Sequence, residues 1–304
     1  MTSDQQWTGL EKGQRPYRGT AWYYAEYRDR PSLGFTHRLA SELGWSPHGR
    51  VLDLGAGPAQ VSLQIAPFVR EVIAMDPEPD MIAEGKRRAD AAGLENVSFV
   101  VGGSDDLEAV GPEIGSLAGA VMSQSFHWMR DQDAVLRRLD RILDSENGAV
   151  AIVGFVTDPD PNRVWLDQPP WNQVEEIRRK YLADTPAGPH PRGRHDPFPE
   201  LLRRSAFSTV ELLTHEYDAT IQPSIDAAIG FQYTLSNILE QLGDLRIPFE
   251  AEAHTALMDA DTSPIEVRLT DSALVGRRPN RPERKPRVSR AFDYRGAEIR
   301  TRDL

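Results

Sequence analysis

The sequence of 304 residues contains no cysteine. That absence excludes disulfide bonds, thiolate nucleophiles and cysteine-ligated zinc, and it is in keeping with a cytoplasmic location. There is no run of 18 or more apolar residues, the length needed to span a bilayer, and residues 1–19 lack the apolar stretch of a secretory signal. We therefore expect a cytoplasmic protein without a membrane span.

Positive charge is also scarce. Lys and Arg number 35 against 46 Asp and Glu, which gives a formal net charge of -11. Because phosphate backbones are neutralised by clustered basic side chains, this balance argues against nucleic acid as the main partner. Hydrophobic residues make up 39% of the chain, which is ordinary for a globular protein. One α/β core with additions is the simplest organisation for this length.

Short apolar runs alternate with helical patterns through the first half of the chain, which is typical of a parallel sheet with crossover helices. Pro58 and Pro77 fall where the first turn of a crossover helix would begin. Asp131 or Asp133 would cap the helix after the fourth strand. We expect five parallel strands, at residues 50–54, 71–75, 97–101, 117–122 and 148–154.

Two more strands, at residues 208–217 and 266–276, should form an antiparallel edge. Helical patterns at 17–44, 166–182 and 223–260 would roof the carboxyl end of the sheet, where ligands bind in open α/β folds. The sequence therefore predicts an α/β fold of the Rossmann-like kind. It consists of a seven-stranded, mostly parallel sheet with helices on both faces, an N-terminal helical lid and helical inserts over the active site.

The chain divides into five segments on this basis. The tail is rich in proline and lacks periodicity, so we expect it to be disordered. In the lid, Tyr23, Tyr24 and Tyr27 fit either closure over a ligand or ordinary packing. The segments are the lid at 1–45, the ligand-binding core at 46–156, substrate-covering inserts with an edge strand at 157–265, the final strand at 266–278 and the basic tail at 279–304.

The segment VLDLGAGPAQ, residues 51–60, joins a buried strand to a helix through a glycine turn. Gly55 and Gly57 let the backbone approach a ligand and adopt dihedrals that other residues resist. Dinucleotide-binding proteins share such a turn, but Gln60 stands here in place of their third small residue. Asp53 ends the strand where a hydride-transfer enzyme would normally keep an apolar residue, and a cationic ligand would explain it.

Asp76 ends the second predicted strand, 19 residues after Gly57. This is the expected reach for a carboxylate that accepts hydrogen bonds from both ribose hydroxyls. Because NAD-binding proteins use the same device, Asp76 predicts an adenosine ligand without choosing between cofactors.

Together with FHWM at residues 126–129, these motifs resemble the class I S-adenosylmethionine-dependent methyltransferases, in particular the methyltransferase type 11 group. The resemblance extends over roughly residues 14–155. It implies S-adenosylmethionine as the cofactor, with Asp53 near its amino group, Gly55 and Gly57 at its backbone cradle, and Asp76 on the ribose.

The resemblance also implies roles for the loops after the third and fourth strands. Ser104 and either Asp105 or Asp106 would contact the adenine, although Gly103 stands where many members carry an acid. Ser123 to His127 would border the transferable methyl group, with Ser123 among the cofactor-binding residues.

The predicted function is methyl transfer from S-adenosylmethionine to a small-molecule acceptor, with oxygen, nitrogen and carbon left open as the methylated atom. His127 is the candidate catalytic base, because imidazole titrates near neutral pH; the alternative is a wall residue beside Trp128. Two other functions remain open: an NAD(P)-dependent oxidoreductase, and a protein that binds the cofactor without turnover. His190 and His195 with Asp196 lack the spacing of a metal site, so no metal is expected.

Overall fold

The computed structural model describes residues 10–279, apart from residues 12, 109–113, 115, 145, 155–165 and 189–195. His190, His195 and residues 280–304 of the expected tail lie outside the described residues. No helix in the described part of the chain is long and apolar enough to cross a membrane.

A seven-stranded sheet in the order β3-β2-β1-β4-β5-β7-β6 forms the centre of the molecule. The first five strands are parallel, and β7 is antiparallel to both of its neighbours. This confirms the predicted Rossmann-like fold, although β6 continues beyond its predicted end. The strands are β1 Arg50–Leu54, β2 Glu71–Asp76, β3 Val97–Val101, β4 Gly119–Ser123, β5 Ala149–Val153, β6 Thr209–Ile221 and β7 Ile265–Arg277.

Helices connect the strands and cover the sheet. Their bounds are α1 Ala21–Tyr27, α2 Leu33–Glu42, α3 Gln60–Ile65, α4 Pro79–Ala91, α5 Gln132–Ile142, α6 Trp171–Tyr181, α7 Phe198–Arg203, α8 Ile225–Gln232, α9 Ile238–Leu242 and α10 Arg246–Ala256.

The apolar strands are buried on both faces, as crossover helices on both sides require. Leu52 and Ile73 belong to one apolar cluster, to which α5 and α7 contribute. Val51, Val72 and Val121 belong to a second cluster with α2 and α3. The uninterrupted apolar runs of the sequence therefore mark strands packed between two helical layers.

The starts of two helices differ from the sequence expectation. The sequence predicts Pro58 and Pro77 in the first turns of crossover helices, but α3 begins at Gln60 and α4 at Pro79. The backbone N–H of Glu78 donates to Asp76 Oδ1 at 2.8 Å, which holds the chain in an Asx turn after β2 and delays the helix. Of the two candidate caps of α5, Asp131 is the one that accepts a hydrogen bond, from the Ala134 N–H at 2.8 Å.

The paired strands β6 and β7 are longer than the rest of the sheet. β5 pairs with residues 273–277 of β7. In the described part of the chain, residues 265–271 of β7 pair with β6 alone, beyond the carboxyl end of β5. A third apolar cluster covers this extension, built from α6, α8, α9 and α10 with Tyr23 of α1 against it. We refer to these helices and the extension as the cap. The division into lid, core and inserts stays a prediction.

The cap at the start of α5 gives a stability prediction. Asp131→Ala should lower the free energy of unfolding by about 1 kcal/mol, because the Ala134 N–H in the first turn of the helix loses its acceptor. Urea unfolding followed by circular dichroism measures the change. Asp131→Asn is the matched control, since its side-chain oxygen can still accept; equal losses in both variants would contradict the capping role.

Candidate functional site

A cavity of about 210 Å³ lies at the carboxyl end of the sheet. Its walls come from the turns after β1, β2, β3 and β4 and from the N-terminal segment before α1. Its walls include the predicted cofactor-binding residues Gly55, Gly57, Asp76, Ser104, Asp105 and Ser123, and also Asp106 and Tyr24. Asp53 and His127 do not line it.

The glycine turn after β1 requires glycine for two different reasons. Gly55 and Gly57 have φ angles of 74° and 54°, in the left-handed region that favours glycine. A Cβ at Gly55 would lie 2.4 Å from Cβ of Ser125, so no side chain fits there. A Cβ at Gly57 would meet nothing closer than Tyr24, at 4.0 Å. The backbone at Gly57 is therefore an open cradle on the cavity wall.

Asp76 is fixed in orientation by two backbone donors. Its Oδ2 accepts from the Gly57 N–H at 2.9 Å and its Oδ1 from the Glu78 N–H at 2.8 Å. Burial raises the pKa of Asp76 to about 6, and these two hydrogen bonds oppose the shift. Each carboxylate oxygen has further lone pairs, so this side chain on the cavity wall can accept bonds from ligand hydroxyls.

Asp53 is completely buried in β1. Its Oδ2 accepts from the Ser62 hydroxyl of α3 at 2.7 Å, whereas its Oδ1 has no hydrogen-bond partner among the described residues. Burial raises the pKa of Asp53 to about 7, opposed by the Ser62 hydrogen bond and reinforced by the charge of Asp76. The structure thus places Asp53 just behind the wall, next to Leu54, which does line the cavity.

The loop after β3 forms a short 3₁₀ turn at Ser104–Asp106. Arg138 of α5 lies 3.3 Å from both the Ser104 carbonyl oxygen and Asp105 Oδ1. Asp106 Oδ2 accepts from the Gly103 N–H at 3.0 Å. Both aspartates lie on the cavity wall, so the alternative between them as the adenine contact stays open.

The turn after β4 is joined to the strands on either side of it. Gln124 has a φ of 52°, which is unusual for a residue with a side chain, and its Nε2 donates to the Gly154 carbonyl at 3.2 Å. The Ser125 hydroxyl donates to the Leu54 carbonyl at 2.7 Å. Both residues line the cavity. A left-handed glutamine costs about 1 kcal/mol and concentrates at functional sites, but the sequence gives no sign of it.

His127 belongs to a 3₁₀ turn at Phe126–Trp128. Its ring lies 5.5 Å from that of Trp128 at a tilt of 44°, and Trp128 rather than His127 lines the cavity. The cavity wall, as far as the described residues form it, includes neither histidine nor lysine. The catalytic role of His127 stays a prediction, and its position matches the alternative of a residue packed beside Trp128.

The lid tyrosines divide between the cavity and the cap. Tyr24 lines the cavity, as does Tyr17, whose ring lies 5.9 Å from that of Tyr24. Tyr23 instead packs against Tyr233 of the cap, with ring centroids 4.9 Å apart. Tyr24 therefore faces the cavity and Tyr23 faces the cap, on different faces of one helix.

Metal ligation finds no support in the described part of the chain, which holds no group of three or more His, Asp or Glu side chains that could bind an ion.

A parallel sheet with a glycine turn after its first strand and a fixed carboxylate after its second defines an α/β nucleoside-binding domain. Residues 51–146 match the family described as a methyltransferase domain. Residues 51–146 are therefore similar to a methyltransferase domain, and this match implies S-adenosylmethionine as the cofactor. This assignment argues against the oxidoreductase alternative.

Two curated relatives match in part. The chain is 28% identical over 112 residues to the uncharacterized methyltransferase YcgJ of Bacillus subtilis (strain 168), covering 37% of this chain and 43% of that protein. It is 38% identical over 74 residues to the 23S rRNA (uracil(1939)-C(5))-methyltransferase RlmD of Shewanella sp. (strain MR-4), covering 23% of this chain and 16% of that protein. The chain thus matches less than half the length of either relative.

Among solved structures, the crystal structure of YcgJ from Bacillus subtilis is similar with a TM-score of 0.46 and 18% identity. The similarity covers 83% of this chain and all of that one, 100%.

The residues present fit S-adenosylmethionine. The unpartnered oxygen of Asp53 is a buried acceptor beside the cavity wall, and a cationic ligand group nearby would stabilise its charge. The cradle at Gly57 is open, and the Asp76 carboxylate faces the cavity with acceptor capacity left.

The buried carboxylate of Asp53 gives a pH-dependent prediction for the ligand-free protein. Because its pKa is higher in the folded state, about 7, than in the unfolded chain, the native state binds more protons and stability falls as pH rises through this range. Asp53→Asn removes the contribution of this carboxyl group, while Asp76, whose pKa is also raised, keeps its own. Relative to wild type, the variant should gain about 2 to 3 kcal/mol between pH 5 and pH 8.

Urea unfolding at several pH values measures this difference. Ser62→Ala is the control, since it keeps the carboxylate and removes the donor to Oδ2; it should become less stable than wild type as pH rises. Parallel pH profiles for wild type and Asp53→Asn would contradict a raised pKa at this site.

Proposed function

We propose that this protein transfers the methyl group of S-adenosylmethionine to a small-molecule acceptor. The observation that supports this most directly is the cavity that brings Gly57, Asp76 and Ser123 together at the carboxyl ends of three adjacent strands. The N-terminal segment forms one wall of this cavity, so an acceptor must fit beneath a cover. That geometry favours a small molecule over a folded macromolecule.

In this proposal, each wall holds a different part of the cofactor. Asp76 would accept the ribose hydroxyls, the backbone at Gly55 and Gly57 would lie against the methionine part, and the free oxygen of Asp53 would attract the amino group, directly or through water. Ser104 and Asp105 would contact the adenine, and Ser123 would lie near the methyl group. When bound, the cofactor supplies an electrophilic methyl on a cationic sulfur.

The chain's own contribution is mainly alignment and exclusion of water. The rings of Tyr17, Tyr24 and Trp128 line the cavity, and closure of such walls strengthens electrostatic interactions inside. Holding two reactants in line lowers the barrier by restricting their freedom before reaction. With no histidine or lysine on the described wall, we propose that catalysis rests on positioning, with His127 as the residue to test where an acceptor hydroxyl must lose its proton.

RNA is the main alternative acceptor, because one partial relative is an rRNA methyltransferase. That match covers 16% of the relative, and the net charge of -11 is unfavourable for binding a polyanion. We therefore retain the small-molecule acceptor. The cytoplasmic location likewise stays a prediction from composition.

Calorimetric titration tests the cofactor first. S-adenosylmethionine and S-adenosylhomocysteine should bind, and NAD(P)H should not. Asp76→Asn should weaken both adenosyl ligands about 10- to 100-fold, the size expected when a charged acceptor of two hydroxyl bonds is neutralised. Asp53→Ala should also weaken them.

Asp90→Asn is the matched control, because Asp90 is exposed in the last turns of α4 and does not line the cavity. Binding of the nicotinamide instead of the adenosyl ligands would overturn the proposal. With binding established, a screen of oxygen, nitrogen and carbon nucleophiles for methylation tests the reaction itself; no turnover across that screen would favour a protein that only binds the cofactor.

A further inference from the structure

The described residues among 10–19 form an irregular segment along one wall of the cavity, which we call the strap. Leu10, Glu11 and residues 13–17 line the cavity from this side. Within the described part of the strap only Pro16 is buried. A segment with so little buried apolar surface detaches at low free-energy cost, so its few specific contacts decide whether it stays in place.

The main charged contact of the strap is made by Arg15. Its guanidinium forms two hydrogen bonds with the Glu78 carboxylate, one from Nε to Oε2 at 2.8 Å, and lies 3.7 Å from Asp80. The Glu78 side chain is 6% exposed. Two parallel bonds between arginine and a carboxylate are stronger and more directional than a single contact, and the low exposure of Glu78 limits competition by water.

Other contacts of the strap are single hydrogen bonds or ring contacts. The Gly19 N–H donates to Asp80 Oδ2 at 3.3 Å. The Leu10 N–H donates to the Trp128 carbonyl at 3.1 Å, and the Asn237 N–H of the cap donates to the Pro16 carbonyl at 2.6 Å. The ring of Tyr17 lies edge-on to that of Trp128 at 5.3 Å. These contacts give the strap its position, while Arg15 supplies its charged attachment to the turn after β2.

We propose that the strap gates the cavity. In this proposal the Arg15–Glu78 ion pair, which we call the latch, holds the strap closed. Glu78 is two residues from Asp76, and its own N–H donates to Asp76 Oδ1. The latch is therefore anchored in the turn that carries the cavity-facing carboxylate. The strap forms one wall of the cavity, so in this proposal a ligand enters and leaves when the strap detaches, and the strength of the ion pair sets the exchange rate. As applied to S-adenosylmethionine, the inference rests on the proposed function.

The first test needs no ligand. Hydrogen exchange over residues 10–20 should be about five- to tenfold faster in Arg15→Gln than in wild type, because strap opening then breaks no ion pair. Arg18→Gln is the matched control: Arg18 is an exposed arginine of the same strap for which the structure shows no ion pair among the described residues. Arg15→Lys, which keeps the charge without the paired bonds, should lie between the two.

The second test measures release of ligand. Bound tritiated S-adenosylmethionine, chased with excess S-adenosylhomocysteine, should dissociate about tenfold faster from Arg15→Gln than from wild type. Raising the ionic strength should speed release from wild type, because salt screens a partly exposed pair. Release from Arg15→Gln should be nearly insensitive to salt.

The outcomes separate the latch from the proposed function. The latch is overturned if Arg15→Gln, Arg18→Gln and wild type show the same rates of hydrogen exchange in the strap and of ligand release. If wild type binds neither adenosyl ligand, the proposed function fails, and hydrogen exchange of the ligand-free protein still decides whether Arg15 holds the strap.

Discussion

The arrangement of the site depends on the two backbone hydrogen bonds that the Asp76 carboxylate accepts. One joins the end of β2 to the glycine turn at Gly57, and the other fixes the turn that precedes α4. Through Glu78, the same turn receives Arg15 from the strap. A single carboxylate thereby sets the relative positions of a backbone cradle, a helix start and the cover of the cavity. Its rigidity is a consequence of these bonds and of burial, not of the ligand.

This arrangement places two carboxylates in the buried part of the sheet, where a negative charge is costly. Asp53 and Asp76 are buried near the ends of two adjacent strands, and the charge of Asp76 contributes to the raised pKa of Asp53. The Ser62 hydroxyl donates to one oxygen of Asp53. A buried carboxylate with an unused oxygen weakens the ligand-free fold, and a cationic ligand reverses that penalty. A cationic ligand group that relieves this penalty gains affinity, and the ligand stabilises the fold through that affinity.

Much of the fold could be predicted because its signals are local. Buried parallel strands show as short apolar runs, and the turn after β1 shows as Gly55 and Gly57. What was wrong or missed depends on turns without a helical pattern and on contacts between distant segments. The starts of α3 and α4 were placed two residues too early, at Pro58 and Pro77; for α4, the Asx turn at Asp76 has no helical pattern of its own. The ion pair of Arg15 joins residues 63 positions apart. The sequence around Arg15 and the sequence around Glu78 contain no pattern that predicts the pairing.

Gln60 stands where the dinucleotide-binding motif has its third glycine, and its side chain makes contacts with the end of α1. In dinucleotide-binding turns the third glycine allows a helix to pack closely on a strand. Here the close approach is made by Gly85 of α4 instead, where a Cβ would lie 2.9 Å from Cβ of Ala59. Position 60 is thus free to carry a long side chain. Its amide nitrogen lies 3.4 Å from the carbonyl oxygens of both Ala25 and Arg28, at the end of α1. The residue that separates this turn from the dinucleotide-binding fingerprint also ties the lid helix to the helix that follows the glycine turn.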